Sequence, residues 1–165
     1  MGTQFSLRVV AGAPGSGKST VVDACLNSAD IVALDVDSLI ASASVLANRD
    51  IHFAPETWPA YNQLWLDVMH AILRNGVTAV LFAPFAPPDL APLPAWCCEV
   101  RWLLLDCPDD VLRERLSQRQ WSKRRIREAI EDAVNLRDTP TEYCIDTSRR
   151  TSVEVAEAIM KWARA

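Results

Sequence analysis

The stretch VVAGAPGSGKSTVV, Val9 to Val22, decides the fold. Val9-Val10-Ala11 closes a short apolar run. Gly12-Ala13-Pro14-Gly15-Ser16-Gly17-Lys18-Ser19 then fits G-x-x-x-x-G-K-[ST] without a mismatch, and Thr20-Val21-Val22 opens a helix-forming segment. The glycines let the backbone curl so that successive N–H groups face one point, and the helix adds the positive end of its dipole. A strand, loop and helix in that order make a cradle for phosphate. Lys18 would neutralise charge on the outer phosphates and Ser19 would ligate Mg²⁺, with Thr20 completing the loop's ligand set.

The rest of the chain supplies the sheet that such a loop needs. Apolar runs at Ser6–Ala11, Ile31–Leu34, Thr78–Phe82, Val100–Leu105 and Tyr143–Ile145 have the length of strands buried on both faces. Helical patterns lie between them. Leu64, Trp65, Val68, Met69 and Ile72 recur at helical spacing, in a helix that can start near Thr57, with Pro59 in its first turn, and stop at Asn75-Gly76. The last helix opens on a capping-box pattern, Thr151 to Glu154. Alternating strands and helices predict an α/β fold, a parallel sheet covered on both faces, with ligands beyond the carboxyl ends of its strands. At 165 residues, half of them hydrophobic, the chain suffices for one domain over 1–165.

Composition excludes several roles. A net charge of −4 argues against nucleic acid as a partner. No run of about 18 apolar residues could span a membrane. The five cysteines are odd in number and show no C-x-x-C spacing, as expected of thiols in a reducing, cytoplasmic setting. No N/T-K-x-D guanine-reading tetrapeptide occurs, since the only lysines are Lys18, Lys123 and Lys161. ATP is therefore favoured over GTP.

A second stretch, IVALDVDSLI from Ile31 to Ile40, puts Asp35 and Asp37 at a strand end. If the strand continues, period two places both carboxylates on one face, toward the γ-phosphate. Asp37 could then take the proton of an attacking hydroxyl, and Asp35 could help to hold Mg²⁺. In the alternative, Asp37 caps a Ser38–Ala47 helix and Asp35 is a solvated turn residue. The third strand ends Val80-Leu81-Phe82-Ala83-Pro84 without a carboxylate. A hydrolytic ATPase would want an acid there, so the pattern leans toward transfer.

GAPGSGKST, a strand ending in DVDSLI, and a basic segment further on resemble the small P-loop kinases, among them the shikimate, gluconate and adenylate kinases. Locally, Val36-Asp37-Ser38-Leu39-Ile40 is most similar to the chloramphenicol phosphotransferases, whose matching aspartate is the proposed base. The resemblance implies a three-layer fold with strand order 2-3-1-4-5 and a helical lid over about 113–127. It also implies a phosphotransferase acting on an alcohol, with ATP and Mg²⁺.

The basic segment carries Arg113, Arg115, Arg119, Lys123, Arg124, Arg125 and Arg127 against the single acid Glu114. In an acidic chain this concentration calls for an anionic partner, for which triphosphate is the obvious candidate. By the resemblance, Arg115 and Arg119 match the R-x-x-x-R of the lid and Arg124 its tip. Otherwise the arginines form a solvated face paired with Glu128, Glu131 and Asp132. The Asp146-Thr147-Ser148 segment resembles one that lies beside adenine in such kinases, which implicates Thr147.

The acceptor should sit over about 36–98. Its only basic residues there are Arg49 and Arg74, too few to clamp a nucleoside monophosphate, whereas Phe53, Trp58 and Phe85 offer apolar walls. A small, largely uncharged alcohol is the expected acceptor. A nucleoside or nucleotide kinase is the nearest rival. An ATP-binding regulatory module without transfer is the rival from another class.

Overall fold

The computed structural model describes residues 4–26, 30–85, 87–90 and 92–165. Five strands, β1 (Phe5–Ala11), β2 (Ile31–Asp35), β3 (Thr78–Ala83), β4 (Cys97–Asp106) and β5 (Tyr143–Asp146), form one parallel sheet in the order β2-β3-β1-β4-β5. That is the expected order. Strand β4 starts earlier than its apolar run, because Cys97 and Glu99 still find ladder partners in Phe5 and Ser6.

Period-two alternation splits the side chains between two cores. Leu7, Val9 and Ala11 of β1, with Ala79, Leu81 and Ala83 of β3, face one side; Val10, Val80 and Phe82 face the other. On the first side the sheet packs against α3 (Trp58–Leu73) through Trp65, Leu66, Met69 and Leu73. Leu112 of α4 (Asp109–Gln118) and Ala133 and Leu136 of α5 (Lys123–Arg137) belong to the same core. The second side is covered by α1 (Lys18–Cys25) and α6 (Ser152–Arg164), through Val21, Val22, Cys25, Val155, Ile159 and Trp162. The capping box of α6 forms as expected, with Thr151 Oγ1 accepting from the Glu154 N–H and Glu154 Oε2 accepting from the Thr151 N–H.

One ion-pair clasp fixes α5 on the sheet. Arg137 donates to both oxygens of Asp106, at 2.7 and 3.0 Å, to Asp109 Oδ1 at 2.7 Å and to the Cys107 carbonyl at 2.9 Å. Such multidentate geometry makes this pair a stronger tie than an ordinary surface ion pair.

After Asp35 the chain departs from expectation. It leaves strand geometry at once, turning as a short 3₁₀ segment, Val36–Leu39, before α2 (Ile40–Ala47). Period two therefore does not carry through to Asp37. The capping alternative is also reversed: Asp35 is the cap, its Oδ1 accepting from the Asp37 N–H at 3.0 Å. Among the described residues, no helix is long and apolar enough to cross a membrane.

Candidate active site

The loop from Gly12 to Gly17 bridges β1 and α1 at the carboxyl edge of the central strand. Gly17 caps α1 with φ at 101°, a left-handed conformation that turns the first helical N–H groups outward. Gly12 is glycine for lack of space, since a Cβ there would lie 2.5 Å from Ser16 Oγ and 2.9 Å from the Leu105 carbonyl. The Ser16 N–H donates to the Ala13 carbonyl at 3.1 Å, while Ser16 Oγ is buried and finds no hydrogen-bond partner among the described residues. Ser19 and Thr20 stand exposed at the loop's mouth.

Lys18 folds back, its Nζ donating to the carbonyls of Gly12 and, at 3.2 Å, Ala13. Burial pulls its pKa down to about 8, against the opposing pull of Asp37, Asp35 and Asp132; Arg119 pushes the same way as burial. These four residues are thus within electrostatic reach of the loop lysine. Asp35 pairs in register with Phe82 of β3, so β2 supplies the carboxylate that the apolar end of β3 lacks. Asp37 lies in the 3₁₀ turn after β2 and is exposed. The protein packed around it and Asp35 beside it raise its carboxyl above the usual range, with Lys18 and His52 opposing. The Tyr61 hydroxyl of α3 donates to the Val36 carbonyl and so anchors this turn.

On the other flank, Arg115 ties three segments together. Its Nη1 donates to the Gly15 carbonyl at 3.1 Å and to Thr147 Oγ1 at 3.0 Å, and its Nη2 donates to the Thr147 carbonyl at 3.0 Å. Thr147 in turn donates to the Ser16 carbonyl at 2.8 Å. These residues border a cleft of about 340 Å³, lined also by Gly17, Thr20, Gln118, Arg119 and Arg150. A wider depression of about 580 Å³ lies beside Asp106, Asp109, Asp110 and Arg137, but no loop residue lines it. The smaller cleft is the one that residues of the loop and of the start of α1 line.

Residues 7–137 match the family described as an AAA domain. The chain belongs to that family. No curated protein matches it. Among solved structures it is similar to a sugar kinase from Janibacter, at 19% identity over 99% of this chain and 95% of that one, with a TM-score of 0.68. A tunicamycin resistance protein from Deinococcus radiodurans shares 18% identity over 96% of this chain and 95% of that one, with a TM-score of 0.68. A gluconokinase from Sinorhizobium meliloti shares 17% over 99% and 94%, with a TM-score of 0.61. These likenesses establish the fold, that of the small P-loop kinases.

Within this AAA-domain chain the expected residues fall into two groups. The loop from Gly12 to Thr20, Asp35, Asp37, Arg115, Arg119 and Thr147 gather around Lys18 or the adjoining cleft. The others do not. Arg124 lies in the first turn of α5, 80% exposed, and pairs with Glu128 at 2.8 Å. Arg49 pairs with Glu56 at 2.6 Å. Phe85 is buried in the core and forms no open wall. Phe53 is 78% exposed, and Trp58 is anchored by an Nε1 donation to the Ile51 carbonyl at 2.9 Å. Helix α2 buries none of its residues.

Sequence reading missed His52, Gln118, Arg150 and the placement of Asp132. Asp132 had one legible signal. Glu128 and Glu131 each have an arginine four residues back, whereas position 128, four before Asp132, is another acid.

Proposed function

We propose that the protein is an ATP-dependent phosphotransferase acting on the hydroxyl of a small molecule that lacks phosphate and carboxylate groups. The observation that carries this reading is Asp37 within electrostatic reach of Lys18, its carboxyl raised above the ordinary value by burial and by Asp35. The loop fits ATP: Gly17 aims N–H groups outward, Lys18 supplies the cation, and Ser16 Oγ is a buried polar atom without a partner among the described residues. Arg115, Arg119 and Thr147 would flank the nucleotide in the adjoining cleft. Ser19 and Asp35 would hold Mg²⁺, which would neutralise charge developing on the phosphates.

In the proposed step the acceptor hydroxyl gives its proton to Asp37 and its oxygen bonds to the γ-phosphorus. The bond from that phosphorus to the β–γ bridging oxygen breaks, and ADP leaves with the electron pair. Arg119, within electrostatic reach of Lys18, would stabilise charge on the transferring group. Arg124 would contribute only by leaving Glu128. The catalytic set is therefore Asp37, Lys18 and Arg119, with Arg124 held in an ion pair.

Arg49 pairs with Glu56, which weakens the nucleotide-kinase alternative, because a monophosphate needs cations of its own. The test is product detection by mass after incubation with Mg·ATP and a mixed panel of nucleosides, nucleotides, sugars, aminoglycosides and aryl alcohols. One added phosphoryl, lost in Asp37→Asn, is expected. ATP bound but never transferred, with or without Asp37, would favour the regulatory module.

A further inference from the structure

We infer that Gln118 makes the nucleotide site selective for adenine over guanine, with Glu114 as the residue that positions its amide. This selectivity rests on the phosphotransfer reading, in which the nucleotide occupies the cleft beside the loop.

Two sets of residues line that cleft of about 340 Å³. Gly15, Gly17 and Thr20 belong to the loop and the start of α1, which would take the phosphates. Gln118 of α4, with Arg150 and Ser152 at the entry to α6, forms the walls left for the base. The volume falls within the range of small-ligand sites, about 300–1,000 Å³.

Helix α4 is fixed against the loop, and Gln118 with it. Leu116 and Leu112 come within 3.1 and 3.2 Å of where a Cβ on Gly15 would be. Arg115 donates to the Gly15 carbonyl at 3.1 Å and to the Thr147 carbonyl at 3.0 Å. Positions 115, 118 and 119 share one helical face, and all three line the cleft. The end of the helix is tied down as well: the Trp121 N–H donates to the Leu116 carbonyl at 3.1 Å, and Trp121 packs against the cluster of Leu116, Ile126 and Ala129.

Glu114 decides which way the amide turns. Gln118 Nε2 donates to Glu114 Oε1 at 3.3 Å, one turn back. A carboxylate only accepts hydrogen bonds, so the amide must offer it the NH₂ group and keep its oxygen for a ligand. Among the described residues none donates to that oxygen.

Adenine and guanine differ at position 6, where adenine has an amino donor and guanine a carbonyl acceptor. The Gln118 oxygen takes the adenine amine in a hydrogen bond. Against guanine it sets one acceptor on another, with neither satisfied. Arg150 pulls the other way, since a guanidinium can serve guanine O6 and N7 together. Gln118 prevails because its helix and Glu114 hold it, whereas among the described residues no hydrogen bond or ion pair holds Arg150.

The test is isothermal titration of ATP, GTP and ITP in the presence of Mg²⁺, with no acceptor. ITP keeps the position-6 oxygen of GTP and lacks its 2-amino group, so it isolates that position. We expect ATP to bind about tenfold more tightly than either of the others. Gln118→Leu should lose that ratio through weaker ATP binding. Glu114→Gln should narrow it through tighter GTP and ITP binding, because position 114 can then donate and the Gln118 amide can turn over. A ratio that falls in Gln118→Leu but holds in Glu114→Gln overturns the role of Glu114. Equal affinities for the three nucleotides, or a preference that survives in both variants, overturns the inference and leaves the kinase reading intact. A preference for GTP that is lost in Arg150→Met overturns it in favour of Arg150. No binding of any of the three by folded protein overturns the kinase reading and this inference with it.

Discussion

Arg115 holds Thr147 from both ends of its guanidinium: Nη1 donates to the side-chain oxygen and Nη2 to the carbonyl, each at 3.0 Å. Thr147 passes the tie to Ser16, and Arg115 also reaches Gly15, so the end of β5 and the phosphate loop are one hydrogen-bonded unit. Thr147→Val removes the donor to the Ser16 carbonyl and one acceptor of Arg115. It should cost about 1–3 kcal/mol in urea denaturation and weaken ATP binding. Arg115→Lys should behave similarly, because a single ammonium cannot reproduce the planar fork. Wild-type stability and ATP affinity in both variants would show that the network does not shape the site.

Lys18 predicts a pH dependence of nucleotide affinity. Its pKa near 8 in the free protein means that it is mostly protonated at pH 7 and loses its proton above 8. Phosphate binds the protonated form, so binding at high pH must take up a proton. ATP affinity should be nearly flat up to about pH 7.5 and then fall, by up to about tenfold per pH unit. Isothermal titration across that range checks it. Lys18→Met should bind weakly and show no such fall.

Asp37→Asn should separate activity from stability. Loss of a general base should lower transfer by about 10²–10⁴-fold with ATP still bound. Stability should move the other way. The folded carboxyl titrates above its unfolded value, so Asp37 contributes stability that is present in acid and lost as pH rises through the folded value. The Asn variant should therefore melt above wild type at pH 7, with the gap closing in acid below the ordinary carboxylate range. Paired melting curves decide it, and a lower Tm at neutral pH would mean that the Asp37 charge is net stabilising.

The fold was legible because its signals are local. A complete loop motif, five apolar runs and a capping box each depend on residues close in sequence, and the alternation of Leu7, Val9 and Ala11 against Val10 follows from the strand period. The acceptor side was less legible. Phe85 and Phe53 look alike in sequence, yet one is buried and the other 78% exposed, a difference set by which elements cover them. The arginines divided by partner: Arg115 reaches the loop across 100 residues, whereas Arg124 finds Glu128 one turn away. The Asp35 cap was missed because the strand was carried two residues too far.

Gly12 and Gly76 are constrained for different reasons. At Gly12 an added Cβ would meet Ser16 Oγ at 2.5 Å and the Leu105 carbonyl at 2.9 Å. Leu105 cannot retreat, because β4 is laddered to β1 on one side, with Ala11 beside Leu104, and to β5 on the other, with Leu105 beside Ile145. The phosphate loop must therefore move. At Gly76, after α3, a Cβ meets nothing within 4 Å, but φ is +77°. Gly76→Ala should cost about 1–2 kcal/mol from backbone strain alone, and Gly12→Ala about 1–3 kcal/mol from overpacking. The two losses overlap in denaturation, yet only Gly12→Ala should lose ATP affinity, since only there is the cost taken by the loop that faces the phosphates. ATP titration of both variants separates a displaced loop from a general loss of stability. Equal affinities would mean that the loop absorbs the extra methyl without moving its N–H groups.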